Sequence, residues 1–273
     1  MSALLSTNQS AARALEIMRL LAASKDGVGV REVARAIGVS PSIAQRLITT
    51  LAESGFAEQE SSRRYRVGLG AFVVGNAFLS SNMLVRESYA ELQSLADRHQ
   101  LNCYLGKLRG SAIVYLATFQ SSGPIAIKTS LGAETHLHST ALGKAILAQM
   151  PKQAARELLG AQPYLRLTAR TKTRFVPLLV DLSAAREKGY AVSDEENIVG
   201  VFAIGAPVRD ASGATVAAIS GALARHELDR VKLPSLCRLV REAAERISIR
   251  LGAAPVATGV ARQSRNASPK RRT

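Results

Sequence analysis

Few residues in this sequence have the spacing that chemistry needs. His136-x-His138 would put two imidazoles on one side of a strand, but no third ligand stands at a metal-binding spacing, so no metal is expected. His138 with Ser139 or Ser220 could be imagined as the base and nucleophile of a hydrolase. Ser220, however, lies in Ala218-Ile219-Ser220-Gly221-Ala222, without the Gly-x-Ser-x-Gly elbow that exposes a nucleophile. Asp194-Glu195-Glu196 could supply a base, but three adjacent acids at a strand end read as a solvated loop. Gly143-Lys144 lacks the upstream glycine and following hydroxyl of a phosphate loop, and no Gly-x-Gly-x-x-Gly precedes a helix. Catalysis has no positive signal. The chain is read as no enzyme and without cofactor, with a Ser/His hydrolase as the lesser alternative.

A binding site does have a signal. Ser139 and Thr140 open a helix whose first N–H groups carry partial positive charge, an end suited to a carboxylate or phosphate. Nearby strands bring Ala203, Ser220 and Ala222, and Ile127 offers an apolar wall. That mixture suits a small organic acid. The residues alone leave a plain helix cap over a core serine equally open.

The chain that must position these residues has 273 of them, enough for two domains, and is 47% hydrophobic, a globular composition. Its 36 Lys and Arg against 21 Asp and Glu give +15, which points to a polyanionic partner, foremost nucleic acid. The segment 252–273 holds five of the basic residues and no acid, and reads as a disordered basic tail. The first twenty residues lack a basic start followed by an unbroken apolar core, so no signal peptide is expected. The longest apolar stretch, Ile198–Ala224, is cut by Arg209, Asp210 and Gly213, so no membrane span is expected and a cytoplasmic location is. Cys103 and Cys237 are expected to be buried, reduced thiols.

The first seventy residues carry the pattern of a DNA reader. A helix over 10–23 would bury Ala14, Leu15, Met18, Leu21 and Ala22. A second, Val30–Ile37, ends at Gly38. A third starts at Ser40, with Pro41 at its first turn, and runs to about Ser54. Two short helices crossing at small Ala34 make a helix-turn-helix. The outward set of the third helix is Ser40, Ser42, Ile43, Gln45, Arg46, Thr49 and Thr50, side chains that can reach phosphates and base edges in a major groove. Phe56–Gln59 and Arg63–Gly68 form a hairpin, which completes a winged helix and brings Arg63, Arg64 and Arg66 to the DNA backbone or minor groove.

Residues 71–84 read as an interdomain helix whose Phe72, Val73, Ala77 and Phe78 are too apolar for a solvated linker and are expected to meet a second subunit. From Asn102 the period changes. Strands are expected over 102–108, 111–118, 123–128, 190–193, 199–208 and 215–224. Helices are expected from 139 or 140 to 151, and over 152–159, 176–188 and 233–251. Helices and strands intermix without β-α-β order, which gives an α+β sensor-like domain.

With these segments in place, the sequence resembles the IclR family of bacterial transcription regulators over residues 8–252. The likeness rests on SAARALEIMRLLA, VREVARAIGVSPSIAQRLITTLAESGF and RRYRVGLG in the first domain. In the second it rests on LHSTALGKAILA, GYAVSDEENIVGVFAIGAPVRD and AAISGAL, with Arg209 standing where an aromatic residue or His is usual. The resemblance implies a winged helix-turn-helix DNA-binding domain (8–70), a linker helix (71–84), a GAF-like effector-binding domain with an antiparallel sheet (85–252) and the tail (253–273). It implies a homodimer or dimer of dimers on a palindromic operator, without a membrane partner, that represses or activates a catabolic operon in response to a small organic acid or aromatic compound. The family's effector pocket falls on Ala141, Leu142, Ser193, Val201, Ala203, Ser220 and Ala222, with Ile127 and Thr135 on the apolar side and Thr140 at the helix end. Ala203 stands where many members have Cys and Ala222 where some have Ser, which implies a more apolar pocket. A DNA-binding regulator without a small ligand is the nearer alternative.

Overall fold

The computed structural model describes residues 8–121, 127, 129–229 and 231–255, and the chain divides into two compact units on either side of the Ser81–Asn82 bond. The expected tail lies outside the described residues beyond Pro255, with Ala253 buried, and the strand expected over 123–128 lies outside them apart from Ile127.

The first unit contains α1 (Gln9–Ala23), α2 (Val30–Ala36), α3 (Pro41–Glu53), β1 (Ala57–Gln59), β2 (Tyr65–Val67) and α4 (Leu69–Ser81). Its core joins Ile17 and Leu21 to Val33, Ala34, Ala44, Ile48, Ala57 and Tyr65. The buried stripe of α1 differs from the expected one. Ile17 and Leu21, one turn apart, point inward, while Leu15 (60% exposed) and Ala22 face solvent. Gly38 takes φ +64 after α2, a conformation that lets the chain reverse within one turn, and the Ser40 hydroxyl accepts the Ile43 N–H to start α3. β1 and β2 pair antiparallel with Glu58 opposite Arg66, and Val28 adds a bridge to Tyr65, so the wing is fastened to the loop between α1 and α2. α4 has an almost unbroken apolar sequence, yet none of its residues is buried. Leu69, Phe72, Val73, Val74 and Phe78 stand exposed.

The second unit contains α5 (Met83–His99), β3 (Asn102–Arg109), β4 (Ala112–Phe119), β5 (Glu134–His136), α6 (Ala141–Leu147), α7 (Lys152–Leu159), α8 (Phe175–Lys188), β6 (Ala191–Asp194), β7 (Val201–Arg209), β8 (Thr215–Ala224) and α9 (Leu233–Arg250). The six strands form one antiparallel sheet in the order β5-β4-β3-β8-β7-β6. The fold is α+β. Alternate strand residues feed two cores. Cys103, Leu105, Ile204 and Ile219 pack under α5 and α9, while Tyr104, Ile113, Ala218 and Ala222 pack under α6 and α8. Both thiols are free and buried. β5 was not foreseen, being only three residues long. The helix expected to run to Pro151 is α6 alone, seven residues and wholly buried, after which the chain tightens into turns closed by the Gln149 and Met150 N–H groups.

Candidate nucleic-acid interface and ligand pocket

On α3, Ser42, Arg46 and Thr50 are exposed, as is Ser40 at its cap, while Ile43 and Thr49 are half-buried. The amide of Gln45 donates to Thr49 (3.0 Å) and to the Tyr65 hydroxyl (3.3 Å), which ties the helix to the wing. Thr50 turns its hydroxyl back to the Arg46 carbonyl. The three wing arginines differ. Arg63 stands exposed at the tip in a left-handed conformation, and Arg66 pairs with Glu60 at 2.6 Å. Arg64 is half-buried and fully engaged within the unit. It donates to both carboxylate oxygens of Glu32 (3.1 and 2.9 Å) and to the Asp26 and Gly27 carbonyls. The Arg64 guanidinium, together with the Gly29 N–H, holds the Glu32 carboxyl below the usual carboxylate range. Four of its N–H donors already have partners that lock the wing to α2.

In the second unit the ten side chains expected around a ligand converge on one cavity of about 200 Å³: Ile127, Thr135, Thr140, Ala141, Leu142, Ser193, Val201, Ala203, Ser220 and Ala222. Strand register builds the floor, because Ser193 opposes Ala203 and Ala203 opposes Ala222 across β6, β7 and β8, while Ser220 opposes Tyr104 on β3. The first turn of α6 forms a wall. Gly205 lets it sit there, since a Cβ at that position would lie 2.4 Å from the Ala141 carbonyl oxygen. The Thr140 hydroxyl caps α6 by accepting the Gly143 N–H and donates to the His136 carbonyl. Sequence reasoning missed Tyr104, Tyr115, Thr129, Glu134, Asn197 and Ile198, which also line the cavity. The alternation along β3 and β4 could have found the tyrosines. Nothing local marks Asn197. Burial pushes the Tyr104 phenol well above its usual range, with Tyr115 and Cys103 adding to the effect, and its O–H donates to the Ile127 carbonyl at 2.7 Å. Ser139 does not line the cavity. Its hydroxyl donates to Asn197 Oδ1 (2.9 Å) and its carbonyl accepts from Ser193 (2.6 Å).

One expectation about charge is overturned here: Asp194-Glu195-Glu196 is not a solvated loop. Lys144 is a buried cation. Lys144 Nζ lies 2.6 Å from both Glu196 Oε1 and Asp181 Oδ2, with the Lys144 side chain 1% and that of Glu196 5% exposed. Lys172 closes the group against Asp181 (2.7 Å) and Glu196 (3.3 Å). Burial raises the Asp181 pKa, but the Lys144 and Lys172 ammonium groups outweigh it and hold the carboxyl below its usual range. Asp194 pairs with Arg170 and Arg225, and Glu195 caps the Gly200 N–H. The acids were misread because their partners lie in distant segments. The hydrolase pairing is also absent. His138 Nε2 bonds to the Leu165 carbonyl at 2.9 Å, and burial pulls its pKa below the usual value. Among the described residues no group of three His, Cys, Asp or Glu could hold a metal, and no described helix is long and apolar enough to cross a membrane.

Residues 10–61 match the model described as the IclR helix-turn-helix domain, and 76–249 match that of the bacterial transcriptional regulator IclR C-terminal. The chain is 32% identical to the HTH-type transcriptional regulator BhcR of Paracoccus denitrificans over 244 residues, covering 89% of this chain and 86% of that protein. It is 31% identical to the glycerol operon regulatory protein of Streptomyces griseus over 248 residues, covering 90% and 97%. Among solved structures, a transcriptional regulator from Rhodococcus sp. RHA1 matches with a TM-score of 0.77 at 28% identity, covering 89% of this chain and 98% of that one.

Proposed function

The chain belongs to the IclR family of bacterial transcriptional regulators and is a DNA-binding regulator of that type; from that premise we propose that it answers to a small organic acid or aromatic compound bound in the 200 Å³ cavity of its second unit. The observation that carries the reading is the convergence of the ten expected side chains, from four strands, one helix end and Ile127, on a single cavity. A cavity of about 150 Å³ holds one benzene ring, so this one has room for a compound of that size and for little more. In this reading α3 enters the major groove through Ser42, Gln45, Arg46, Thr49 and Thr50, with Ser40 and Ile43 at its entrance. Arg63 and Arg66 meet the backbone, and Arg64 acts indirectly by setting the wing.

Ligand binding then shifts the geometry of a homodimer, or a dimer of dimers, and with it the half-site spacing that a palindromic operator requires. The exposed apolar surface of α4 supports a second subunit there. The S. griseus relative is named for control of a glycerol operon, which supports a catabolic operon as the target. The test is binding of the purified protein to the intergenic DNA beside its own gene. The expected result is a specific complex whose affinity falls steeply with salt. Binding no tighter than to unrelated DNA would contradict the reading.

A further inference from the structure

We infer that Asn197 is a specificity-determining residue of the cavity, donating to one oxygen of a monocarboxylate and so fixing the direction in which the ligand lies. This rests on the ligand reading above. Asn197 projects from the β6–β7 loop into the cavity, and its amide is oriented from behind. Ser193 Oγ donates to the Ser139 carbonyl, and Ser139 Oγ donates to Asn197 Oδ1. With Oδ1 occupied, the Nδ2 group offers its N–H donors on the other side.

The strand order gives the cavity two distinct ends. Asn197 and Ser193 stand at the β6 end, while Tyr104, Tyr115 and Glu134 stand at the β3–β4–β5 end. Among the lining residues described Glu134 is the one charged side chain, and its carboxylate is paired with Arg109. An anionic ligand group therefore meets no free cation at the Glu134 end and has the Asn197 N–H donors at the other. Between them, Ala203 and Ala222 leave an apolar floor that a ring or short alkyl body can cover, with the Ser220 hydroxyl midway. A second carboxylate would lie beside Glu134, whose partner Arg109 is already engaged, with no further cation among the lining residues described. The geometry thus selects one carboxylate and a neutral far end.

The test measures thermal stabilisation and calorimetric affinity of the full chain with benzoate, 4-hydroxybenzoate, terephthalate and benzamide. Asn197→Asp keeps an acceptor oxygen for Ser139 but replaces the N–H donors with negative charge. Asn197→Leu removes both. The expected result is binding of the two monocarboxylates to the parent protein, at least tenfold weaker binding of terephthalate, and at least tenfold loss for both monocarboxylates in either variant. Benzamide, which can donate to a carboxylate, keeps its affinity in Asn197→Asp and loses it in Asn197→Leu. Undiminished binding of benzoate by a folded Asn197→Asp protein overturns the inference, as does equal binding of terephthalate and benzoate by the parent. If no compound stabilises the parent protein, the ligand reading itself fails.

Discussion

Lys144 Nζ lies 2.6 Å from Glu196 Oε1, and the two side chains are among the most buried charged groups of the second unit. Lys144 stands on α6 one residue past Gly143, and Glu196 immediately precedes Asn197, so the pair joins two walls of the cavity from behind. Removing one member of a buried ion pair leaves the other uncompensated, which costs about 3–5 kcal/mol. Lys144→Met is expected to destabilise the second unit by that amount, read as a lower denaturant midpoint with an unchanged slope. A midpoint within experimental error of the parent would mean that Glu196 and Asp181 are adequately satisfied by Lys172 alone.

Gly205 predicts a second effect on the same walls. A Cβ placed 2.4 Å from the Ala141 carbonyl oxygen cannot be accommodated without moving α6 off the sheet. Gly205→Ala is expected to cost about 1–3 kcal/mol as overpacking and to weaken ligand binding along with it. Unaltered melting would show that α6 shifts freely.

In the first unit, Arg46 and Arg64 should separate cleanly. Arg46→Ala is expected to leave melting unchanged and to weaken specific DNA binding by about 5- to 160-fold, the range for loss of about 1–3 kcal/mol in a base contact. Arg64→Gln breaks the bonds to Glu32, Asp26 and Gly27, so it lowers the melting temperature and weakens DNA binding only through the displaced wing. Unchanged stability with a DNA-binding salt slope reduced by about one would return Arg64 to the phosphate contacts.

Acid should act through His138 before it acts through carboxylates. Burial lowers the His138 pKa from the usual 6.5, with the Leu165 carbonyl opposing the shift. The unfolded chain therefore takes up the proton first. The contribution to stability is complete above pH 6.5 and is lost as pH falls from there through the folded value. Asp181, held below its usual 3.8, contributes above that value and loses its contribution only at lower pH. Melting temperature followed from pH 7.5 to 5 is expected to fall below 6.5 in the parent protein and to flatten in His138→Gln.

The sequence made some of these features legible and concealed others. The helix-turn-helix could be read because its signals are local: Gly38, Ser40 and Pro41 punctuate it within four residues, and Ala44 and Ile48 repeat with the helical period. Ala203, Ser220 and Ala222 could be placed together because they lie in strands with clear boundaries, while Ser193 was implied only by the family resemblance. The buried face of α1 was misassigned because Leu15 and Ile17 are equally apolar and only the tertiary contacts choose between them. The Lys144–Asp181–Glu196–Lys172 group was hidden because each charge, alone in its segment, looks solvated. Its members are 9 to 52 residues apart, the longest gap being that from Lys144 to Glu196. The pairing of Arg64 was hidden for the same reason, its partner Glu32 lying 32 residues upstream.

The most direct test of a ligand-responsive regulator is the operator dissociation constant measured at zero and at saturating benzoate or 4-hydroxybenzoate, at one fixed salt concentration. The account predicts a change of about 5- to 150-fold, the usual range of allosteric coupling, with the same factor recovered when ligand affinity is measured on free and DNA-bound protein. A ligand that binds the protein tightly while leaving the operator affinity unchanged would contradict it.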